Sequence, residues 1–149
     1  MSKYKLFTLK NIPTPNFTMT PLELKDYIDF EVKRIYFISS PKGEMLTGSH
    51  CHLADEDELF IMITGSCTMV VDDGNGLTEI KLDGLHNAIR IPHMVWHHFK
   101  DMSDDVVICA LSSTNYNPNR SDYCEDYQEF QKLVAIPDRR GNSDPGSLI

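Results

Sequence analysis

Residues 47–65, TGSHCHLADEDELFIMITG, decide how the rest of the chain reads. His50 and His52 stand one residue apart, an acid-rich patch follows, and an apolar run ends at Gly65. If 50–52 is extended, side chains alternate between faces, so both imidazoles point one way and Cys51 the other. Two imidazoles on one inner wall of a β-barrel make either two metal ligands or a proton-transfer pair.

Working outward, the pattern stays β. Residues 31–38 alternate and then turn apolar on both faces. Ser40-Pro41-Lys42-Gly43 is a turn, and 45–52 is the next strand. Strands over 58–63 and 66–71 follow. Asp72-Asp73-Gly74-Asn75-Gly76 is a hairpin turn, because Gly and Asn tolerate positive φ. Further strands are predicted over 78–82, 88–91, 95–99 and 106–111, the third placing Val95, His97 and Phe99 on one face and Trp96 and His98 on the other. A loop covers 112–120, and Tyr123, Tyr127, Phe130 and Val134 lie near helical spacing, so 123–133 reads as a short helix ended by Pro137. Before residue 31 the pattern is mixed. A short strand over 5–9 is broken by Pro13 and Pro15, and 20–24 is open between a strand and one helical turn. Many short strands with one C-terminal helix predict an all-β barrel or sandwich, with a mouth able to hold one ligand.

The 149 residues suffice for one domain, placed at 1–136, and 137–149 has no apolar face and is expected to be a disordered tail. No apolar run approaches the roughly 18 residues needed to span a bilayer, and the N-terminus lacks the pattern of a signal peptide. The four widely spaced cysteines are expected to be reduced, in a cytoplasmic protein. A net charge of −8 argues against a nucleic-acid partner. It leaves room for a nucleotide-sized ligand, whose diphosphate needs only a few donors such as Arg34, Lys33, Lys42 and Arg90.

His50, His52, Glu58 and His97 stand out together, and imidazole with carboxylate is a typical ligand set for zinc, iron, manganese or nickel. Their order resembles the cupin pattern: H-x-H, then Glu58 with Gly65 seven residues beyond it, then His97 in Pro92-His93-Met94-Val95-Trp96-His97. The loop from His52 to Glu58 is longer than in most cupins, and Met94 stands where Gly is common. A closer resemblance runs from Glu31 to Phe130. The stretches 33–38, Gly48-Ser49-His50-Cys51-His52, Gly65-Ser66-Cys67, Asp72-Asp73-Gly74, Val95-Trp96-His97 and Asp122-Tyr123…Asp126-Tyr127…Phe130 are similar to the WxcM-like sugar-nucleotide 3,4-ketoisomerases.

That resemblance implies a cupin jelly roll and a homodimer. It implies no cofactor, and the conversion of dTDP-4-keto-6-deoxyglucose to its 3-keto isomer on the way to 3-amino-3,6-dideoxy sugars of surface glycans. It assigns His50 and His52 as the acid–base pair. Tyr36 and Arg34, alternating in phase one strand earlier, are placed to hydrogen-bond the enediolate or the diphosphate, and His97, Glu58 and Arg90 are further substrate contacts. Three departures stand out. Thr47 replaces the family's Arg in Arg-Gly-x-His-Ala-His, Glu58 replaces a common Gln, and Asn16-Phe17 replaces an N-terminal Arg-Gly. Glu58 completes a ligand set, so a divalent metal held by His50, His52, Glu58 and His97 is the first alternative. A non-catalytic sugar-nucleotide-binding cupin is the second.

Other residues read as structural. His86 and His98 are core or surface histidines, and His93 is left open. Trp96 goes to the core or a dimer interface, and Cys51 is a packed thiol. Tyr123, Tyr127 and Phe130 are core, and Asp55-Glu56-Asp57 is a solvated loop.

Overall fold

The structure is a computed structural model that describes residues 2–43 and 47–135. The beginning of the strand expected from residue 45 and the expected tail over 137–149 lie outside the described residues. The strands are β1 (Lys5–Thr8), β2 (Ile12–Pro13), β3 (Thr18–Met19), β4 (Arg34–Ser39), β5 (Thr47–His52), β6 (Glu58–Thr64), β7 (Ser66–Asp72), β8 (Leu77–Asp83), β9 (Asn87–Ile91), β10 (Trp96–Lys100), β11 (Val107–Ser112) and β12 (Tyr123–Cys124), followed by the helix α1 (Tyr127–Ala135). Two five-stranded antiparallel sheets, ordered β1-β9-β6-β11-β4 and β12-β5-β10-β7-β8, face each other as an all-β cupin jelly roll.

Strand alternation sorts the side chains into three layers. Phe60, Met62, Met69, Val71, Leu82, Ile89, Ile91 and Phe99 fill the space between the sheets. Leu59, Ile61, Ala88 and Leu111 point the other way from the first sheet and are covered by the N-terminal segment through Phe7, Leu22, Tyr27 and Val32. Cys51, Trp96 and Cys124 point outward from the second sheet and are covered by Phe130, Tyr127 and Leu133 of α1. Complete burial of a side chain such as Phe130 contributes about 1.5–3 kcal/mol relative to leaving it exposed.

Two local features set the geometry. Gly65 turns β6 into β7 at φ +75, where an added Cβ would lie 2.7 Å from the backbone of Val106, so only glycine fits. The helix begins four residues later than the periodicity predicts. Tyr123 and Cys124 are instead paired in register with His52 and Cys51, and Asp126 accepts the backbone N–H of Gln128 (2.9 Å), starting the helix there. Ile12–Pro13 and Thr18–Met19 form a two-residue antiparallel bridge despite Pro13.

The register then builds one mouth of the barrel. Glu58 opens β6 opposite Ser112, which ends β11, and Ser112 lies opposite Arg34, which opens β4. His97 lies opposite His50 across the second sheet. The ends of strands from both sheets therefore bring Arg34, Tyr36, His50, His52, Glu58 and His97 together.

Candidate active site

His50 and His52 project inward, as alternation requires, and Cys51 is buried on the far face. The Nε2 atoms of the two histidines are 3.2 Å apart, with their rings edge to face. His52 is buried, whereas His50 is half-exposed and lines two adjoining lobes of about 320 Å³ each. Arg34, Tyr36, Glu58, Tyr116 and Tyr123 line one lobe with His50, and Phe60, His97, Phe99 and Arg120 line the other. Each lobe is within the size range of a small-molecule site.

His52 is held by carboxylates. Its Nε2 lies 2.8 Å from Glu56 Oε2 and 3.0 Å from Glu58 Oε1. A carboxylate only accepts, so the proton sits on this nitrogen. Nδ1 is buried without a hydrogen bond, 3.5 Å from Asp122 Oδ2. Burial alone would lower the His52 pKa, but the hydrogen bonds and negative charge of Glu56 and Glu58 outweigh it and push the value up to about 9. At neutral pH His52 is an imidazolium.

His50 behaves oppositely. Burial, then the charge of His52, then that of Arg120, push its pKa down to about 4. Two N–H groups facing each other at 3.2 Å would repel, so His50 Nε2 presents a lone pair. Tyr36 donates its hydroxyl to Glu58. Burial and then the Glu58 charge raise its pKa far above the ordinary value, so it keeps its proton.

The acidic loop is a correction. Glu56 is not solvated: it is buried, accepts from Arg34 Nη2 at 2.5 Å and from the Ser112 hydroxyl at 2.5 Å, and bonds His52. Burial would raise its pKa, but the bonds from His52 and Ser112 and the charge of Arg34 bring it down to about 2. Asp122 causes the inward turn, because its carboxylate accepts the backbone N–H groups of Ala54, Asp55 and Glu56.

Of the residues predicted from sequence, Arg34, Tyr36, His50, His52, Glu58 and His97 converge. Arg90 does not. Ile89 and Ile91 point inward from β9, so Arg90 points outward, where its Nη2 donates to Asp29 Oδ1 at 2.5 Å. His97 Nδ1 donates to the Val95 carbonyl at 3.1 Å, and burial and then the His50 charge push its pKa down to about 4. Ligand atoms of His50, His52 and Glu58 lie within 4.8 Å of one another. Those three could hold a cation once His52 surrendered its proton. His97 is outside that trio.

His93 is an exposed partner of Asp57, and Trp96 stacks under α1 against Tyr127 and Phe130. Sequence reasoning missed Tyr123, whose ring lies 4.7 Å from that of His50 and 4.6 Å from that of His52. It also missed Tyr116 and Arg120. The Asp122-Tyr123 and Asp126-Tyr127 doublet was the available signal, but helical spacing placed Tyr123 in the core.

A jelly roll whose inner wall carries a histidine pair at the barrel mouth has the architecture of a cupin. The chain matches the family model described as FdtA, WxcM-like, C-terminal, over residues 2–135, and it belongs to that family. It is 34% identical over 131 residues to a TDP-4-oxo-6-deoxy-alpha-D-glucose-3,4-oxoisomerase of Aneurinibacillus thermoaerophilus, covering 88% of this chain and 92% of that protein. A 3,4-ketoisomerase from Helicobacter canadensis superposes with a TM-score of 0.79 at 31% identity, over 91% of this chain and all of that one. WlaRA, a TDP-fucose-3,4-ketoisomerase from Campylobacter jejuni, gives 0.76 at 27% identity, over 89% and 96% of the two chains. Among the described residues no helix is long and apolar enough to cross a membrane.

Proposed function

We infer that the chain is an isomerase that moves the ketone of a TDP-linked 4-keto-6-deoxyglucose from C4 to C3, using its own side chains and no metal. The observation that carries the mechanism is the split pair: a neutral His50 lining the pocket, with its Nε2 3.2 Å from that of His52, and His52 as a buried imidazolium.

The C3 hydrogen is acidic because the C4 carbonyl can take up the electron pair. The neutral His50 imidazole removes that proton, the C3–C4 double bond forms, and negative charge develops on O4. Tyr36, protonated at neutral pH, turns its hydroxyl from Glu58 to O4 and passes its proton there. His50 then returns its proton to C4 while O3 gives up its own proton to the Tyr36–Glu58 pair and becomes the ketone. One proton moves from C3 to C4 and one from O3 to O4, so no oxidant or reductant is needed. His52, held by Glu56 and Glu58, keeps a positive charge beside the developing enediolate. A metal would have to displace the His52 proton from two carboxylates, which supports the metal-free reading. The non-catalytic alternative is not favoured, because this acid–base set is complete with Thr47 in place.

The enzyme works as a cytoplasmic homodimer, supplying a 3-keto sugar for amination toward 3-amino-3,6-dideoxy sugars of surface glycans. Ile35 and Phe37, 58% and 65% exposed on the outer face of the edge strand β4, support the dimer, since large apolar side chains seldom face water together. The four free cysteines are consistent with a reducing compartment.

Proton NMR of dTDP-4-keto-6-deoxyglucose with the protein in D₂O and chelator tests the reading. The expected result is loss of the C3 proton signal and growth of a 3-keto product. Turnover only after a divalent metal is restored would overturn the metal-free mechanism. The absence of exchange and product under both conditions would overturn the isomerase assignment.

A further inference from the structure

The proposed substrate carries a diphosphate into a chain of net charge −8, so a local cation has to meet it. The candidates from sequence are committed or misplaced. Arg34 is bound to the buried Glu56 carboxylate at 2.5 Å. Arg90 lies on the outer face of its sheet, paired with Asp29. Lys33 and Lys42 do not line either lobe. Position 47, where the family usually has Arg, is Thr.

Among the described residues lining the two lobes, the remaining cation is Arg120. It belongs to the loop before β12 and lines the lobe that holds His50 and His97. Its guanidinium lies 3.9 Å from the centre of the Tyr123 ring, the same ring that contacts both histidines. This stacking holds the charge at the pocket wall, where Nε and Nη2 donate to the Glu125 carboxylate. The Arg120 side chain is 43% exposed, and that of its ion-pair partner Glu125 is 58% exposed. Such a pair is screened by water and is weak enough to be exchanged for a phosphate. Arg120 is also close enough to His50 that its charge opposes protonation of that ring.

We propose that Arg120 is the diphosphate-binding residue of this pocket, supplying from the loop before β12 the cation that position 47 lacks. The proposal rests on the ketoisomerase reading and adds the residue that anchors the nucleotide end of the substrate. When substrate enters, Arg120 leaves Glu125, stays stacked on Tyr123, and donates two parallel hydrogen bonds to phosphate oxygens. The sugar is thereby suspended with C3 next to His50. Glu125 competes with the ligand for the same donors and sets how tightly it is held.

Calorimetric titration with TDP and with thymidine, alongside steady-state kinetics, tests this on the full-length wild type and the Arg120→Ala, Arg120→Lys and Glu125→Gln variants. Arg120→Ala should weaken TDP binding and raise KM by about 10–30-fold, with kcat changed by less than about threefold, as loss of a charge-assisted hydrogen bond implies. Thymidine, which has no phosphate, should bind as before. Arg120→Lys should recover part of the affinity, and Glu125→Gln should tighten TDP by about two- to fivefold. Unchanged TDP affinity and KM in Arg120→Ala would overturn the proposal, as would an equal loss of TDP and thymidine. Wild-type protein that neither binds TDP nor isomerises the sugar would instead sink the ketoisomerase reading itself.

Discussion

Strand β5 has two faces of opposite character, one residue apart. Inward, His50 and His52 meet Tyr36, Glu58 and His97 in a polar, partly open mouth. Outward, Cys51 joins Trp96, Cys124 and Phe130 in a closed apolar layer under α1. Cys51 shows what that layer does to a reactive group: burial pushes its thiol up to about 12, so it stays protonated and inert. On the other face two carboxylates keep the buried His52 charged, while burial and then that charge leave His50 neutral. The alternation of the backbone assigns the face, and the element covering that face decides whether its residues pack or react.

The difference can be tested from either side. Phe130→Ala empties the apolar face and should cost about 3–5 kcal/mol in denaturant unfolding. The folded fraction should retain turnover within about a factor of two, because Phe130 touches no group of the mouth. A parallel loss of turnover would show that the two faces act as one unit. His50→Asn does the reverse. Turnover should fall by a factor on the order of 10² or more, about 2.7 kcal/mol of barrier. The thermal midpoint should move by no more than about 3 °C, since His50 is half-exposed. Near-wild-type turnover would remove His50 from the base role.

Glu58→Gln is the mildest of the three and acts within the polar face. It keeps the shape and removes the charge, so kcat should drop by about tenfold. The pH profile adds a sharper signature. His50 must be neutral and His52 protonated, so kcat/KM should rise through about pH 4 and fall through about pH 9. The Glu58 carboxylate raises the His52 pKa, so the Gln variant should lose activity at a lower pH on the alkaline side. An alkaline limb that stays in place would assign it to another group.

Period-two alternation was enough to place His50 and His52 together and Cys51 opposite, and the seven-residue step to Gly65 was enough to identify Glu58. Both are local signals. The errors share a different origin. Glu56 reads as one of three exposed acids until Asp122, 66 positions away, captures its backbone N–H. Tyr123 reads as the first turn of a helix until its register with His52 makes it a strand. Arg120 has no sequence signal, since its value comes from lying on Tyr123 at the mouth. Arg90 is the exception, because Ile89 and Ile91 on either side already gave its outward phase. Contacts between the acidic loop and the segment at 120–123 depend on closure of the barrel, which no short window of residues contains.

The bond from the Ala54 N–H to Asp122 spans 68 positions, and that has a consequence for the order in which the molecule matures. A ribosome adding about 5–20 residues per second delivers the two histidines several seconds before the segment that walls them in. Until Asp122 and Tyr123 emerge, the edge of β5 is unpaired and Glu56 lacks the anchor that turns it toward His52. The nascent barrel therefore gathers its earlier apolar strands first and gains its charged centre only once the segment at 120–124 has been made.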